Sequence, residues 1–286
     1  TLAAKQDALF EIDEEVVMSI TDIVNGSNAS QPQTVKIIDD DPKPTVTLSV
    51  DSPSISETEA TATVTATLNT VSGLPTTVTL KKTGTAIDTV DYNLPGTITI
   101  VTGELSNSIS LTSVGDSIDE KDETVDVEII SVTNGIRGDP FMKTVTLVDD
   151  DPTPTVVLSV NRTQIDENSG TTSATVTATT SAISGLDVTV TLATSGTATS
   201  TLDYKFSSLT ILIPALVATV NSVTLTAVGD LLNENNETVV IGLQTIENGE
   251  EAGGIDIQKQ TVTIMDDDLA PTVALSVGNA QIDEDT

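Results

Sequence analysis

Carboxylate side chains are the groups in this sequence whose type and spacing could do chemistry. Runs of three aspartates occur three times, at Asp39–Asp41, Asp149–Asp151 and Asp266–Asp268. Adjacent carboxylates in a folded loop repel one another, so a cation must lie among them. Ca²⁺ takes about six to eight oxygen ligands in a flexible arrangement, which suits carboxylates contributed by several loops. The aspartate runs therefore predict metal sites with Ca²⁺ as the cofactor.

Other acidic residues precede each aspartate run at matched positions. With the run itself, the candidate metal ligands of the first complete repeat are Glu57, Asp91, Asp116, Glu120, Glu123, Asp149, Asp150 and Asp151. Their counterparts in the second complete repeat are Glu167, Asp203, Asp230, Glu234, Glu237, Asp266, Asp267 and Asp268. The two ends of the chain add Asp7, Glu11, Glu14, Asp39, Asp40, Asp41 and Glu284. So many carboxylates exceed the need of one ion, and we expect two or more calcium ions in each complete repeat.

The second complete repeat departs from the first at two acidic positions. Asn233 and Asn236 stand where the first repeat has Asp119 and Asp122. The lower negative charge predicts that the two repeats differ in calcium affinity. Taken singly, an aspartate run is most often a solvated loop, and an acidic block can be an exposed edge that deters aggregation. The recurrence of all these motifs in register favours metal binding.

The strands that must position these residues are visible as alternation with a period of two. In the first complete repeat Val46, Leu48 and Val50 alternate with threonine and serine, and six further short runs follow. Such alternation places apolar side chains on one face of a strand and hydroxyls on the other. Seven short runs are typical of an antiparallel β-sandwich of immunoglobulin type. We therefore predict an all-β fold of tandem immunoglobulin-like sandwiches in a linear array.

A Pro-Thr-Val start follows each aspartate run and divides the chain into repeats. We predict the C-terminal part of a repeat at residues 1–43, complete repeats at 44–152 and 153–269, and the first strand of a further repeat at 270–286. An Asn-Gly turn marks the last hairpin of each repeat. Isolated strands cannot bury an apolar face. The incomplete ends indicate either a longer parent chain or strands supplied by neighbouring molecules.

The composition argues against several classes of function. The net charge is −32, from 11 Lys and Arg against 43 Asp and Glu, which disfavours binding to nucleic acid or to anionic membranes. No stretch approaches the ~18 apolar residues of a membrane-spanning helix. Histidine and cysteine are absent, which removes the commonest general base and the commonest reactive nucleophile. We therefore expect neither an enzyme nor a protein that inserts into a membrane.

The motifs together resemble the Calx-beta domain, a family of sodium/calcium exchangers and of large bacterial surface proteins. The resemblance covers essentially the whole chain as tandem copies. It is carried by the glutamate after the first strand, the segment from Gly84 to Tyr92, the acidic block before the penultimate strand and the closing aspartates. The resemblance implies that calcium is ligated, at the tip that faces the next domain, by Asp116, Glu120, Glu123 and Asp149 to Asp151, with Glu57 and Asp91.

The joints between repeats indicate what such an array does. The linkers at residues 41–44 and 151–154 are short and carry two prolines each, so they are stiff. We expect a calcium-rigidified structural segment of a stalk, filament or adhesin at the extracellular surface of a bacterium. Its partners would be neighbouring repeats of the same chain, with homo-oligomeric or filament contacts as a second option.

Two other functions are compatible with calcium binding. Regulatory calcium sensing, as in a transporter or signalling protein, is the alternative, and it requires an affinity tuned to cytosolic calcium. A ligand-binding adhesin tip is a third, but the sequence offers no aromatic or basic recognition patch for it. Serial copies and threonine-rich faces favour the stalk.

Overall fold

A computed structural model describes residues 1–58, 60–167, 172–217, 219–278, 280, 281 and 284. The chain folds as two compact units, one of Thr1–Ser117 with Lys121–Asp150 and one of Ile118–Glu120 with Asp151–Thr286. All regular structure in the described residues is strand, and no helix there could cross a membrane. The predicted all-β class is confirmed.

The N-terminal segment of the first unit contains one antiparallel strand pair. β1 (Glu14–Met18) pairs with β2 (Gln33–Ile37), and Val16 lies opposite Val35. The Asn-Gly pair between them begins at Asn25, whose φ of 60° lies in the left-handed region that such turns require. The two strands lie where the alternation predicts strands, and their assignment to the end of a repeat stays a prediction.

The first unit also contains a complete β-sandwich. Its strands are β3 (Thr45–Val50), β4 (Ser54–Ser56), β5 (Thr61–Leu68), β6 (Thr76–Gly84), β7 (Tyr92–Asn93), β8 (Thr97–Ile100), β9 (Ser106–Ser113), β10 (Glu123–Thr133), β11 (Ile136–Arg137) and β12 (Met142–Val148). They form two sheets of five strands, in the orders β4-β12-β10-β6-β8 and β11-β3-β5-β9-β7. Most pairs are antiparallel, and the short β4 and β11 pair in parallel with β12 and β3.

The second unit repeats this topology strand for strand. Its strands are β13 (Thr155–Val160), β14 (Gln164–Asp166), β15 (Ser173–Thr180), β16 (Val188–Gly196), β17 (Tyr204–Phe206), β18 (Thr210–Ile213), β19 (Val220–Ala227), β20 (Glu237–Glu247), β21 (Glu250–Glu251) and β22 (Gln260–Met265). The sheet orders are β14-β22-β20-β16-β18 and β17-β19-β15-β13-β21. Both units are therefore sandwiches of the predicted immunoglobulin-like type.

Each sandwich encloses one apolar core between its two sheets. In β5 the alternation of apolar and threonine residues is matched by burial, since Ala62, Val64 and Ala66 are fully buried while the intervening threonines are not. Tyr92 and Tyr204 are 1% and 4% exposed and belong to the two cores. Valine and isoleucine dominate because β-branched side chains pack well on a pleated sheet.

The C-terminal segment differs from the sequence-based expectation. We predicted the first strand of a further repeat at residues 270–286, but residues 269–278 form no strand in this structure. Val273 and Leu275 are almost fully exposed. A strand requires a hydrogen-bonded neighbour, and the rest of a repeat would have to supply one.

Candidate metal centre

Strand ends of the second unit gather acidic residues at one edge of its sandwich. Glu167 directly follows β14, Glu237 begins β20, and Asp266 directly follows β22. The parallel pairing of β14 with β22 continues through a hydrogen bond of 2.9 Å from the Glu167 amide to the Met265 carbonyl. Glu167 is thereby held beside Asp266.

Three carboxylates of this edge come close enough to share an ion. Oxygen atoms of Glu167, Asp230 and Glu234 lie within 4.8 Å of one another. Glu167 is only 7% exposed, whereas Asp230 and Glu234 are open to solvent. A buried carboxylate with two more against it is unfavourable unless the charge is balanced.

The ionisation of Glu167 reflects this crowding. Burial raises its pKa first, and repulsion from Asp230, Asp266 and Glu234 raises it further. A hydrogen bond from the Asp230 backbone acts in the opposite direction but does not cancel the rise. The site therefore favours a proton or another cation on Glu167.

Glu237 and Asp203 form a second close pair at the same edge. Burial, followed by the hydrogen bond to Asp203 and repulsion from Asp203, raises the pKa of Glu237 to about 7. Glu234 and Glu167 add to the repulsion, so the two pairs belong to one cluster. The last aspartate, Asp268, has a raised pKa because of burial and then of repulsion from Asp267, Asp266 and Asp230.

No basic side chain balances this cluster among the residues that the structure describes. Ion pairs in this part of the chain include those of Lys36 with Asp13, Lys82 with Asp88, Arg137 with Glu128 and Lys259 with Asp256. None of them uses a carboxylate of the cluster. An oxygen-only set of carboxylates from several loops is the donor chemistry that Ca²⁺ prefers.

One hydrogen bond that the sequence did not reveal positions the first aspartate of each run. The amides of Asp39, Asp149 and Asp266 donate to side-chain oxygens at 3.0, 3.2 and 3.1 Å. The acceptors are Asp13, Asp122 and Asn236. Each directly precedes the glutamate that begins a strand, β1, β10 or β20. This shared position before a strand-initiating glutamate is the sequence feature from which the hydrogen bond could have been predicted. Asn236 thus makes the same hydrogen bond as Asp122, and this role does not require a negative charge.

In the first unit, two residues of the predicted set, Glu57 and Asp116, lie close together. The Asp116 amide donates to Glu57 Oε1 at 3.3 Å, and the two carboxylates approach within 4.8 Å. The Asp150 carboxylate is directed at the end of β4 and the loop after it, where Ser56 Oγ and Thr58 Oγ1 donate to it at 2.6 and 2.8 Å. These hydrogen bonds lower the pKa of Asp150. In this structure Asp150 therefore stabilises the loop after β4.

Asp91 and Asp203 have the same structural task in the two sandwiches. Their carboxylates accept hydrogen bonds from the amides of Ile87 and Thr199, at 2.6 and 2.5 Å. Their backbone carbonyls accept hydrogen bonds from the amides of Val114 and Val228. These hydrogen bonds tie each loop to the strand end that leads to Asp116 or Asp230. Asp203 also reaches Glu237, so it lies within the cluster as well.

The N-terminal residues form a third acidic cluster, which lines a pocket of about 330 Å³. All the candidate ligands of this segment line it, namely Asp7, Glu11, Glu14, Asp39, Asp40 and Asp41. Burial raises the pKa of Glu11, and repulsion from Asp7, Glu14, Asp39 and Asp41 adds to the rise. Lys5 also lines the pocket, which is otherwise strongly acidic.

The remaining predicted ligands are Glu120, Glu123, Asp151 and Glu284. Glu123 begins β10, Asp151 is the first residue of the main segment of the second unit, and Glu120 belongs to that unit. Glu284 is exposed, and Ile282 and Asp283, the other residues of its motif, lie outside the described residues. Metal ligation by these residues stays a prediction.

Comparison with known proteins places the sequence beside one domain family. A profile described as the Calx-beta domain matches residues 39–151 and 149–268. The chain has no match among curated protein sequences. Solved structures similar to it include CBD12 from CALX1.2, with 14% identity, a TM-score of 0.34, and coverage of 71% of this chain and 80% of that one. The calcium binding domain CBD12 of CALX1.1 is 12% identical, with a TM-score of 0.34 and coverage of 74% and 96%. The apo-form Calx CBD1 domain is 17% identical, with a TM-score of 0.35 and coverage of 38% and 100%.

Proposed function

Since this chain belongs to the Calx-beta domain family, whose domains bind calcium, we propose that its acidic strand ends are calcium sites. The observation that carries the proposal is the approach of Glu167, Asp230 and Glu234 within 4.8 Å, with no basic partner in the described residues. A divalent cation would remove the repulsion that raises the pKa of Glu167.

The residues of the second unit have separate tasks in this proposal. Glu167, Asp230 and Glu234 would hold one ion, and Glu237 with Asp203 and the aspartate run would hold a further one. The ion would supply the positive charge that balances these carboxylates. Asn236 and the parallel pairing of β14 with β22 hold the ligands in place before any ion arrives.

A structural role at an extracellular bacterial surface is our more specific proposal. Two features support it: the repeats follow one another in series, and their linkers at residues 41–44 and 151–154 carry two prolines each. Calcium at such joints would neutralise the acidic tips and keep successive repeats in a fixed relation, as a stalk, filament or adhesin segment requires. Neighbouring repeats are then the principal partners, and contacts between chains in an oligomer or filament are secondary.

Regulatory calcium sensing is the second candidate, and the affinity for calcium separates the two. The name of the CALX1.1 structure describes a calcium binding domain, and a sensor of cytosolic calcium binds at about 10⁻⁷–10⁻⁵ M. An extracellular structural module binds at about 10⁻⁴–10⁻³ M. Calorimetric titration of the full chain with calcium measures this constant directly. Dissociation constants below about 10⁻⁵ M would overturn the stalk and support the sensor.

Rigidification itself is tested by small-angle X-ray scattering of the full chain. The scattering is recorded in millimolar calcium, in chelator and in millimolar magnesium, which controls for ionic strength. The proposal expects a narrower distribution of interatomic distances in the calcium buffer than in the other two, because bound ions would restrict motion at the joints. Superimposable curves in all three buffers would exclude calcium-dependent stiffening.

A further inference from the structure

A nine-residue acidic loop recurs three times in the chain, directly before the glutamate that starts a late strand. Its copies are residues 5–13, 114–122 and 228–236. The fifth residue of each copy is apolar, namely Leu9, Ile118 and Leu232. We call these segments the acidic loops. Their surroundings in the structure are not the same.

Each of the first two acidic loops is bound by a Ser-Gly-Leu bend. The bends are residues 72–74, between β5 and β6, and residues 184–186, between β15 and β16. The Gly73 amide donates to the Phe10 carbonyl at 3.1 Å. The Gly185 amide donates to the Asp119 carbonyl at 3.0 Å, in the second compact unit. Phe10 and Asp119 occupy the same position of the acidic loop.

The serine of each bend strengthens the contact. Ser72 Oγ and Ser184 Oγ donate to the same carbonyls, at 3.4 and 3.3 Å. Each hydroxyl also accepts a hydrogen bond from the leucine amide two residues on, at 3.1 and 3.0 Å. Ser72 and Ser184 are 2% and 5% exposed. Their hydroxyls are therefore committed to this contact, as buried polar groups must be.

A side chain at the centre of the bend would collide with the glutamate side chain of the acidic loop. A Cβ atom at Gly73 would lie 2.5 Å from Cγ of Glu11, and one at Gly185 would lie 2.6 Å from Cγ of Glu120. Neither distance is compatible with ordinary contact between carbon atoms. The bend thus fits the glutamate that follows the bound carbonyl.

The third acidic loop has the same pattern, but no such bend lies against it in the part of the chain that the structure describes. Leu232 is 62% exposed and Asn233 is exposed, whereas Ile118 is half-buried and Asp119 is 9% exposed. We propose that the Ser-Gly-Leu bend is the docking element of each repeat for the acidic loop before it. Residues 232–234 are accordingly an open docking surface, and its partner is the Ser-Gly-Leu bend of another repeat of this type. The inference rests on the hydrogen bonds of the bends, although Glu11, Glu120 and Glu234 of the same loops are also candidate calcium ligands.

Thiol labelling tests the first half of the proposal, because the chain contains no cysteine. Asp119→Cys and Asn233→Cys each introduce one thiol at the same position of two acidic loops. In the full chain, a maleimide should react at least about tenfold more slowly at position 119, since the docked loop must open before it reacts. Gly185→Ala should accelerate labelling at position 119. Gly96→Ala, where a Cβ meets nothing within 4 Å, should not.

A lengthened chain tests the second half. Residues 271–286 are replaced by a further copy of residues 44–152, so that its Pro44 stands at the position of Pro271. Labelling at position 233 should then slow to the rate seen at position 119, and Gly73→Ala in the added copy alone should restore fast labelling. Equal rates at positions 119 and 233 in the original chain would overturn the docking role of the bend. Unchanged fast labelling at position 233, in a lengthened chain whose added repeat melts cooperatively, would overturn the open docking surface.

Discussion

The backbone amide of Asp149 donates a hydrogen bond of 3.2 Å to the side chain of Asp122, and Asp266 donates in the same way to Asn236. The interaction survives an exchange of carboxylate for amide between the two repeats. Asp122 therefore fixes the start of the aspartate run as a hydrogen-bond acceptor and does not need its charge.

Replacement of Asp122 separates this role from metal ligation. Asp122→Asn should change calcium affinity by less than about twofold, because the amide oxygen accepts the same hydrogen bond. Asp122→Ala should lower the free energy of unfolding by about 1 kcal/mol, through loss of that bond. Calorimetric titration and urea unfolding measure the two effects. A large loss of affinity in Asp122→Asn would identify Asp122 as a ligand and contradict the assignment.

Replacement of Glu237 should stabilise the calcium-free protein but weaken its binding of calcium. In calcium-free buffer Glu237→Gln should stabilise the second unit, because it removes a charge that burial and Asp203 disfavour. Calcium binding should weaken by about tenfold, since a ligand charge is lost. Glu247→Gln, at the exposed far end of the same strand, is the matched control and should change neither quantity. Destabilisation of the calcium-free protein by Glu237→Gln would argue against a repulsive cluster.

The raised pKa of Glu237 also predicts a pH dependence. In the folded protein this carboxyl titrates at about 7, above its ordinary value of 4.5. The folded state therefore holds the proton more tightly than the unfolded state, and calcium-free stability should fall as the pH rises between these values. Saturating calcium should suppress the fall, because the ion takes the place of the proton.

Urea unfolding at intervals from pH 4.5 to 7.5 measures this dependence. Glu237→Gln should flatten the calcium-free profile, and Glu247→Gln should leave it unchanged. The contribution of Glu237 is the difference between the original protein and Glu237→Gln in calcium-free buffer. If this contribution to the unfolding free energy rises with pH over this window, the proposed repulsive cluster is contradicted.

Gly196 should tolerate no side chain. Its φ is +121°, and a Cβ atom would overlap the carbonyl oxygen of Thr238. Gly196→Ala should cost about 2–4 kcal/mol of unfolding free energy, through backbone strain and displacement of β20. Gly96→Ala, which has open space, should stay within about 1 kcal/mol of the original. Equal unfolding midpoints for the two variants would contradict the close approach of β16 and β20.

The strands and the acidic edge were predictable because their signals are local. Alternation identified β5, and the repeated glutamates identified Glu167 and Glu237 as neighbours at one pole. The orientation of Asp150 was not predictable, because its partners Ser56 and Thr58 lie 94 and 92 residues away. The strand expected after residue 270 required neighbours that its own sequence does not supply.

Calcium at the acidic edge is tested most directly by a crystal structure of the full chain grown in millimolar calcium. The account predicts an ion at about 2.3–2.6 Å from carboxylate oxygens of Glu167, Asp230 and Glu234, with an anomalous signal that is absent from crystals grown in chelator. Ordered side chains at these three positions, directed into solvent with no ion between them, would contradict it.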